Sequence, residues 1–251
     1  MARNGEQLID HTLLPRAERL TNKEESQCQA EIDAFENFLD RLSEIPPHPY
    51  QTDGGSLQGS VQTRPQSVHT FPGAVQTAYR ETVLSVDHWK DEYGEETVLE
   101  SIEDEFGPEV AAGLAGGSAT WSQLLWNQLQ TASETAIETR QRSLMLITEE
   151  QKQLEELRSS LAEIGDELAA IERCEYPFAE RSDRLAAIQQ QLDELTARWQ
   201  TYLHQRKRSN DKLFSYYIYT DLDTNFPGLA ALATSQEILD RITLRHWAGL
   251  H

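Results

Sequence analysis

The sequence predicts an all-α protein built on a long antiparallel helical hairpin, coiled-coil-like, packed with an N-terminal helix and several short helices. Three observations carry that reading. Leu154, Leu157, Leu161, Ile164, Leu168 and Ile171 recur at alternating steps of three and four, the spacing that keeps one apolar stripe against a partner helix. A second ladder runs through Phe178, Leu185, Ile188, Leu192, Leu195, Tyr202 and Leu203, with Trp199 nearby, and Pro177 separates the two. Finally, Leu154 with Leu195, Leu157 with Leu192, Leu161 with Ile188, Ile164 with Leu185 and Ile171 with Phe178 share one position total, 349. Unrelated helices have no reason to share a mirror register, so the chain doubles back near Tyr176. Arg181, facing Leu168, is the one exception.

The other elements follow in order. Pro15 suits a first helical turn, and Cys28, Ile32, Phe35, Leu39 and Leu42 then share a face, which gives one helix from about Pro15 to Ile45. The N-terminal segment 1–45 is expected to lie along the hairpin, because two helices alone bury too little apolar surface to offset their ordering. Residues 46–73 shift to Pro, Gly, Ser, Gln and Thr, with FPG as a breaker, and read as a flexible linker. A short-helix module, 74–117, follows: one helix over Ala74 to Trp89, a second over Glu95 to Phe106, and a third over Pro108 to Leu114.

After Gly116-Gly117, Ser118 is the expected cap of a very long helix over about Thr120 to Cys174, and the hairpin occupies 118–210. In the C-terminal segment, 211–251, Leu213 to Tyr219 has strand propensity, yet Phe214, Tyr217, Ile218 and Leu222 also fit one helical face, the favoured alternative. Pro227 opens a helical turn, and Thr234 with Glu237 has the capping-box pattern for a last helix through about Trp247.

Composition narrows the functional classes. Asp plus Glu number 42 against 22 Lys plus Arg, a formal charge of -20. Such a surface self-repels in dilute buffer, but molar salt shortens the Debye length to about 3 Å and removes most of that cost, so a halophile's cytoplasm is the expected setting. No Lys or Arg occurs from Asp91 to Thr139, which argues against direct nucleic-acid binding there. Arg206-Lys207-Arg208 with Lys212 is the one basic cluster, read as complementing a helix C-terminus.

The two cysteines lack disulfide or zinc spacing, and the start lacks the basic-then-apolar order of a secretion signal. No apolar run approaches the roughly 20 residues of a membrane span. The histidines never reach metal-ligand spacing, and neither a nucleophile setting nor a phosphate loop is present, so no cofactor, metal or catalytic activity is expected.

The densest mixture of polar and aromatic residues is Tyr79 to Trp89. As a recognition surface, Arg80, Glu81 and His88 would supply polar contacts while Tyr79 and Trp89 act as amphipathic anchors. As structure, the same stretch is a helix packing at the hairpin's base, the favoured alternative. Trp121, Leu125, Trp126 and Leu129 are further residues available to a second copy.

The segments Pro15 to Leu42, Ala78 to Val83, Glu92 to Glu95, Glu105 to Ala111 and Asn225 to Leu229, in that order, resemble a haloarchaeal helical family catalogued only as a domain of unknown function. The resemblance implies a haloarchaeal, cytoplasmic origin and brings no activity, cofactor or site residues. The expected function is therefore a noncatalytic protein-protein interaction or scaffold role, with a protein partner or self-association. The alternative is a regulatory protein acting through a partner or through ligand sensing by the short-helix module.

Overall fold

A computed structural model describes residues 4–47, 71–89, 94, 97–208 and 214–249. Among these there are nine α-helices and no strand: α1 (Asn4–Asp10), α2 (Leu14–Ser43), α3 (Phe71–Thr82), α4 (Val98–Phe106), α5 (Pro108–Ala115), α6 (Gln123–Glu172), α7 (Phe178–Arg208), α8 (Phe214–Ile218) and α9 (Pro227–Trp247). Short 3-10 turns cover Val83–Ser85 and Gly117–Ala119. No helix among the described residues is long and apolar enough to cross a membrane. The predicted linker lies outside the described residues from 48 to 70, while Phe71, Pro72 and Gly73, read as a breaker, open α3 instead. Proline is tolerated there because the first helical turn leaves its amide positions unbonded. The chain divides into two compact units, Met1–Glu25 with Met145–His251, and Ser26–Leu144.

In the first unit the two leucine ladders close on each other. Leu154, Leu157, Leu161, Ile164, Leu168 and Ile171 on α6, and Leu185, Ile188, Leu192, Leu195 and Trp199 on α7, are all buried. Polar pairs repeat the register: Arg184 Nη1 donates to Glu167 Oε1 at 2.6 Å and the Tyr202 hydroxyl to Glu150 Oε2 at 2.7 Å, position totals of 351 and 352 beside the predicted 349.

The reversal has the geometry of a Schellman cap. Cys174 adopts φ 60, its amide donates to Ile171 O at 3.1 Å, and the Glu175 amide donates to Ala170 O at 3.1 Å. Arg181, the exception in the register, has a role in this turn: its Nε donates to Tyr176 O at 2.9 Å. Phe178 corrects the fifth predicted pair. It is 54% exposed in the first turn of α7 and stacks on His246, with centroids 4.5 Å apart.

Two more helices flank the hairpin. Arg158 pairs with Glu18 at 2.9 Å and Glu6 at 2.6 Å, and Gln151 Nε2 donates to Asn22 and Glu25, so the start of α2 runs antiparallel to α6. Helix α9 runs antiparallel to α7, joined by the reciprocal Gln189 and Gln236 amides at 3.0 and 2.7 Å. It is a single helix from Pro227. The predicted capping box at Thr234 is not used, and that hydroxyl donates instead to Ala230 O one turn back at 3.0 Å. Gly228, at the start of α9, meets the face of Trp199: a Cβ there would lie 2.2 Å from the indole ring. The 214–218 segment is helical. Helix α1 had no counterpart in the sequence reading, and Thr12, bonded to Ile9 O at 2.7 Å and accepting from the Leu14 amide at 3.2 Å, marks the break before α2.

The second unit packs α3, α4 and α5 with the remainder of α2 and the beginning of α6. Phe35, Phe38, Tyr79 and Phe106 form an aromatic cluster with ring centroids 5.3 to 6.4 Å apart, mostly edge-on or tilted. Thr97 and Glu100 make a capping box that starts α4. Gly107 takes φ 92 between α4 and α5, a backbone conformation that side chains resist.

The cap of α6 is Ser122, not Ser118: its hydroxyl accepts from the Leu125 amide at 3.3 Å, and the 3-10 turn takes up the preceding residues. Trp121, Leu125 and Leu129 are buried inside this unit rather than presented to a second copy. The Trp121 and Trp126 indoles donate to Pro46 O at 3.0 Å and Ile45 O at 3.1 Å, satisfying carbonyls just past the end of α2.

Candidate functional site

The sequence-selected stretch divides between core and surface. Tyr79 is fully buried and its hydroxyl lies 3.1 Å from Ser101 Oγ, while Trp89 is 4% exposed, so neither offers area to a partner. Arg80 is exposed, and Glu81 on the same helix pairs with Arg41 at 2.5 Å. His88 turns inward, with Nε2 2.8 Å from Glu31 Oε1. The structure therefore does not assemble these five residues into one surface.

His88 instead joins a buried ionic cluster. Arg140 Nε reaches Glu31 Oε2 at 2.5 Å, and its two terminal nitrogens grip both oxygens of Glu105 at 2.6 and 3.2 Å. The guanidinium lies 4.5 Å above the Phe35 ring. Burial opposes the charge of Arg140, but the hydrogen bonds and charge of Glu105, and then the charge of Glu31, outweigh it and hold the guanidinium above its usual range. This cluster ties α2, α4 and α6 together. Each of its four side chains bonds at least one other member of the cluster. Among the described residues no group of three or more His, Cys, Asp or Glu is placed to hold a metal.

The first unit has a comparable cluster around Glu150, only 2% exposed. It accepts from the Tyr202 and Tyr219 hydroxyls, each at 2.7 Å, and from Arg206. Both phenols are pushed well above their ordinary pKa, first by burial and then by the Glu150 charge.

A cleft in the first unit offers a different chemistry. About 540 Å³ in volume, it opens between α1, the last turns of α6 and the C-terminal half of α9. Leu8, Leu168, Ile238 and Ile242 give it apolar walls, and Gly165 and Ala169 on α6 leave room by lacking long side chains. Its ionisable residues are His11, Glu172, Arg241 and Arg245. Arg245 pairs with Glu172, whereas Arg241 and His11 have no ion-pair partner among the described residues. At its edge, Leu244 and Trp247 are each 69% exposed, one turn apart on α9. Trp247 meets His246 edge-on at 5.5 Å, and His246 stacks on the exposed Phe178. His246 itself is buried, 3.0 Å from the Ser182 hydroxyl.

None of the cleft residues was singled out as a site in the sequence, because they come from three distant segments. A signal was present in α9: Arg241 and Arg245 at a spacing of four, interleaved with Leu244 and Trp247 at a spacing of three, which puts cations and large apolar groups on adjoining faces.

Fold and cleft together define a helical-bundle protein with a surface cleft of mixed apolar and cationic character. The chain belongs to the family described as "Domain of unknown function (DUF7260)", whose model matches residues 12–243, from the start of α2 through most of α9. No curated protein and no solved structure matches the chain significantly.

Proposed function

We propose that this protein is a noncatalytic interaction protein whose docking surface is the cleft of the first unit with its rim on α9. The observation that carries the reading is the grouping of Leu244, Trp247 and Phe178, all more than half exposed, beside a cleft that holds Arg241, a cation without an ion-pair partner among the described residues. Grouped apolar residues of this size mark interaction sites, and Trp and Arg are the residue types that most often anchor them. Of the other exposed large apolar residues, Leu124 lies in the second unit, and Met145, Tyr216, Tyr217 and Phe226 lie in the first unit but do not line the cleft. The charge of -20 supports a high-salt, cytoplasmic setting, where screening removes most of the self-repulsion of so acidic a surface.

A photo-crosslinking residue placed at Trp247 tests this. It is expected to yield a defined protein adduct that a Leu244→Asp substitution removes. The same group at Arg142 in the second unit, 71% exposed, is expected to yield none. Equal labelling from both positions, or an adduct indifferent to Leu244→Asp, contradicts the assignment.

One observation supports the regulatory alternative. A second cleft of about 510 Å³ lies along the α4 to α5 elbow, where Gly107 and Pro108 face Asn127, Gln128 and Thr131 of α6. It carries a single ionisable residue, Glu109, and no exposed aromatic anchor, and for that reason the first cleft is preferred.

A further inference from the structure

We infer that the occupant of the α1, α6 and α9 cleft is an acidic amphipathic helix of a partner protein, an inference that rests on the docking function proposed above. Three features specify it. The cleft is bounded by helices and lined by apolar side chains over a floor of small residues, the setting in which a partner helix lays its apolar face into a groove. The exposed anchors continue past the cleft along α9, from Leu244 to Trp247. A small molecule seated in the cleft leaves Trp247 in water, whereas a helix running along α9 covers both.

Charge supplies the sign. In a chain with 42 carboxylates and 22 Lys plus Arg, this cleft gathers Arg241 and Arg245 around the single carboxylate of Glu172. Arg245 and Glu172 neutralise each other, and Arg241 is left with a planar set of donors suited to a carboxylate. Cations in the last turns of α9 also complement its C-terminal dipole, but that role needs no apolar groove beside them. In about 1 M salt the Debye length is about 3 Å, so an approaching segment feels the charges it touches and little of the net charge.

The test uses the full chain and three fluorescent helical peptides with identical apolar positions and Glu, Gln or Lys at the flanking positions, compared by anisotropy in about 1 M salt. The Glu peptide is expected to bind at least about fivefold more tightly than the Gln peptide, and the Lys peptide more weakly than either. Arg241→Glu is expected to abolish or invert the order without lowering thermal stability, because Arg241 is exposed and pairs with nothing among the described residues. Leu244→Asp should weaken all three. If Leu244→Asp lowers binding but the peptides bind equally, or if the order survives Arg241→Glu, the acidic helix is excluded and the docking surface stands. If Leu244→Asp changes nothing, the docking surface itself is excluded. A dimer in light scattering that Leu244→Asp dissociates assigns the cleft to a second copy and overturns the inference.

Discussion

Arg140→Met is expected to destabilise the second unit by about 3 to 5 kcal/mol, the cost of removing one partner from a buried ion pair. The reason lies in what it leaves behind. The side chains of Glu31 and Glu105 are only 11% and 20% exposed, and without the guanidinium they face each other, the edge of an aromatic cluster and His88 with little water to solvate them. Adding Glu31→Gln and Glu105→Gln to the Arg140→Met variant removes the stranded charges, and about 2 kcal/mol or more of the loss should return. Urea unfolding followed by circular dichroism measures both changes. The loss should persist in molar salt, since buried pairs are screened far less than surface pairs. A cost below about 1 kcal/mol, the usual worth of an exposed pair, would remove the cluster's structural role.

Glu150→Ala is expected to have an effect of similar size in the first unit. It removes the buried carboxylate that pairs with Arg206, 12% exposed, and leaves the Tyr202 and Tyr219 hydroxyls without their acceptor, again about 3 to 5 kcal/mol. The same site gives the protein a sensitivity to alkali whose sign is fixed. Both phenols are raised above their ordinary pKa of about 10, first by burial and then by Glu150, so they stay protonated in the folded chain while the unfolded chain ionises them. Their contribution is complete below about pH 10 and is lost as pH rises toward the folded values, at about 1.4 kcal/mol per pH unit for each group. Urea midpoints between pH 9 and pH 11.5 are therefore expected to fall, and the Tyr202→Phe and Tyr219→Phe double variant should flatten the dependence. An unchanged slope in that variant contradicts the assignment.

What was legible in the sequence was what repeats. The ladders on α6 and α7 carry their partner's register because the heptad spacing fixes the face and antiparallel pairing fixes the total, and the buried set matches it from Leu154 to Ile171. Phe178 fails at the end of that series, next to the turn, where the His246 ring gives it a different neighbour. The capping-box pattern at Thr234 fails for a related reason: Pro227 had already started the helix, and a threonine within a helix bonds the preceding turn instead.

The ionic cluster was not legible because Glu31, His88, Glu105 and Arg140 share no spacing. Arg140 did leave one mark, as the first cation after a stretch from Asp91 to Thr139 that holds none. Trp121 and Trp126 were read outward because they share a stripe with Leu125 and Leu129. Packing α3 to α5 against that stripe covers it, and the two indoles serve α2 as hydrogen-bond donors. The cleft depends on residues from α1, α6 and α9, so its character emerges only once the bundle has assembled.

Distance measurement between spin labels at Glu156 on α6 and Glu194 on α7, in a chain lacking Cys28 and Cys174 and diluted with unlabelled protein, tests the antiparallel register most directly. Both positions are exposed, so labelling leaves the buried ladders intact. Neighbouring helices pack with axes about 8 to 10 Å apart, and with the label arms a single narrow distribution of about 15 to 25 Å is expected. A continuous helix across residues 173–177 would rise about 1.5 Å per residue and place the labels more than about 50 Å apart, and a distribution centred there contradicts the hairpin.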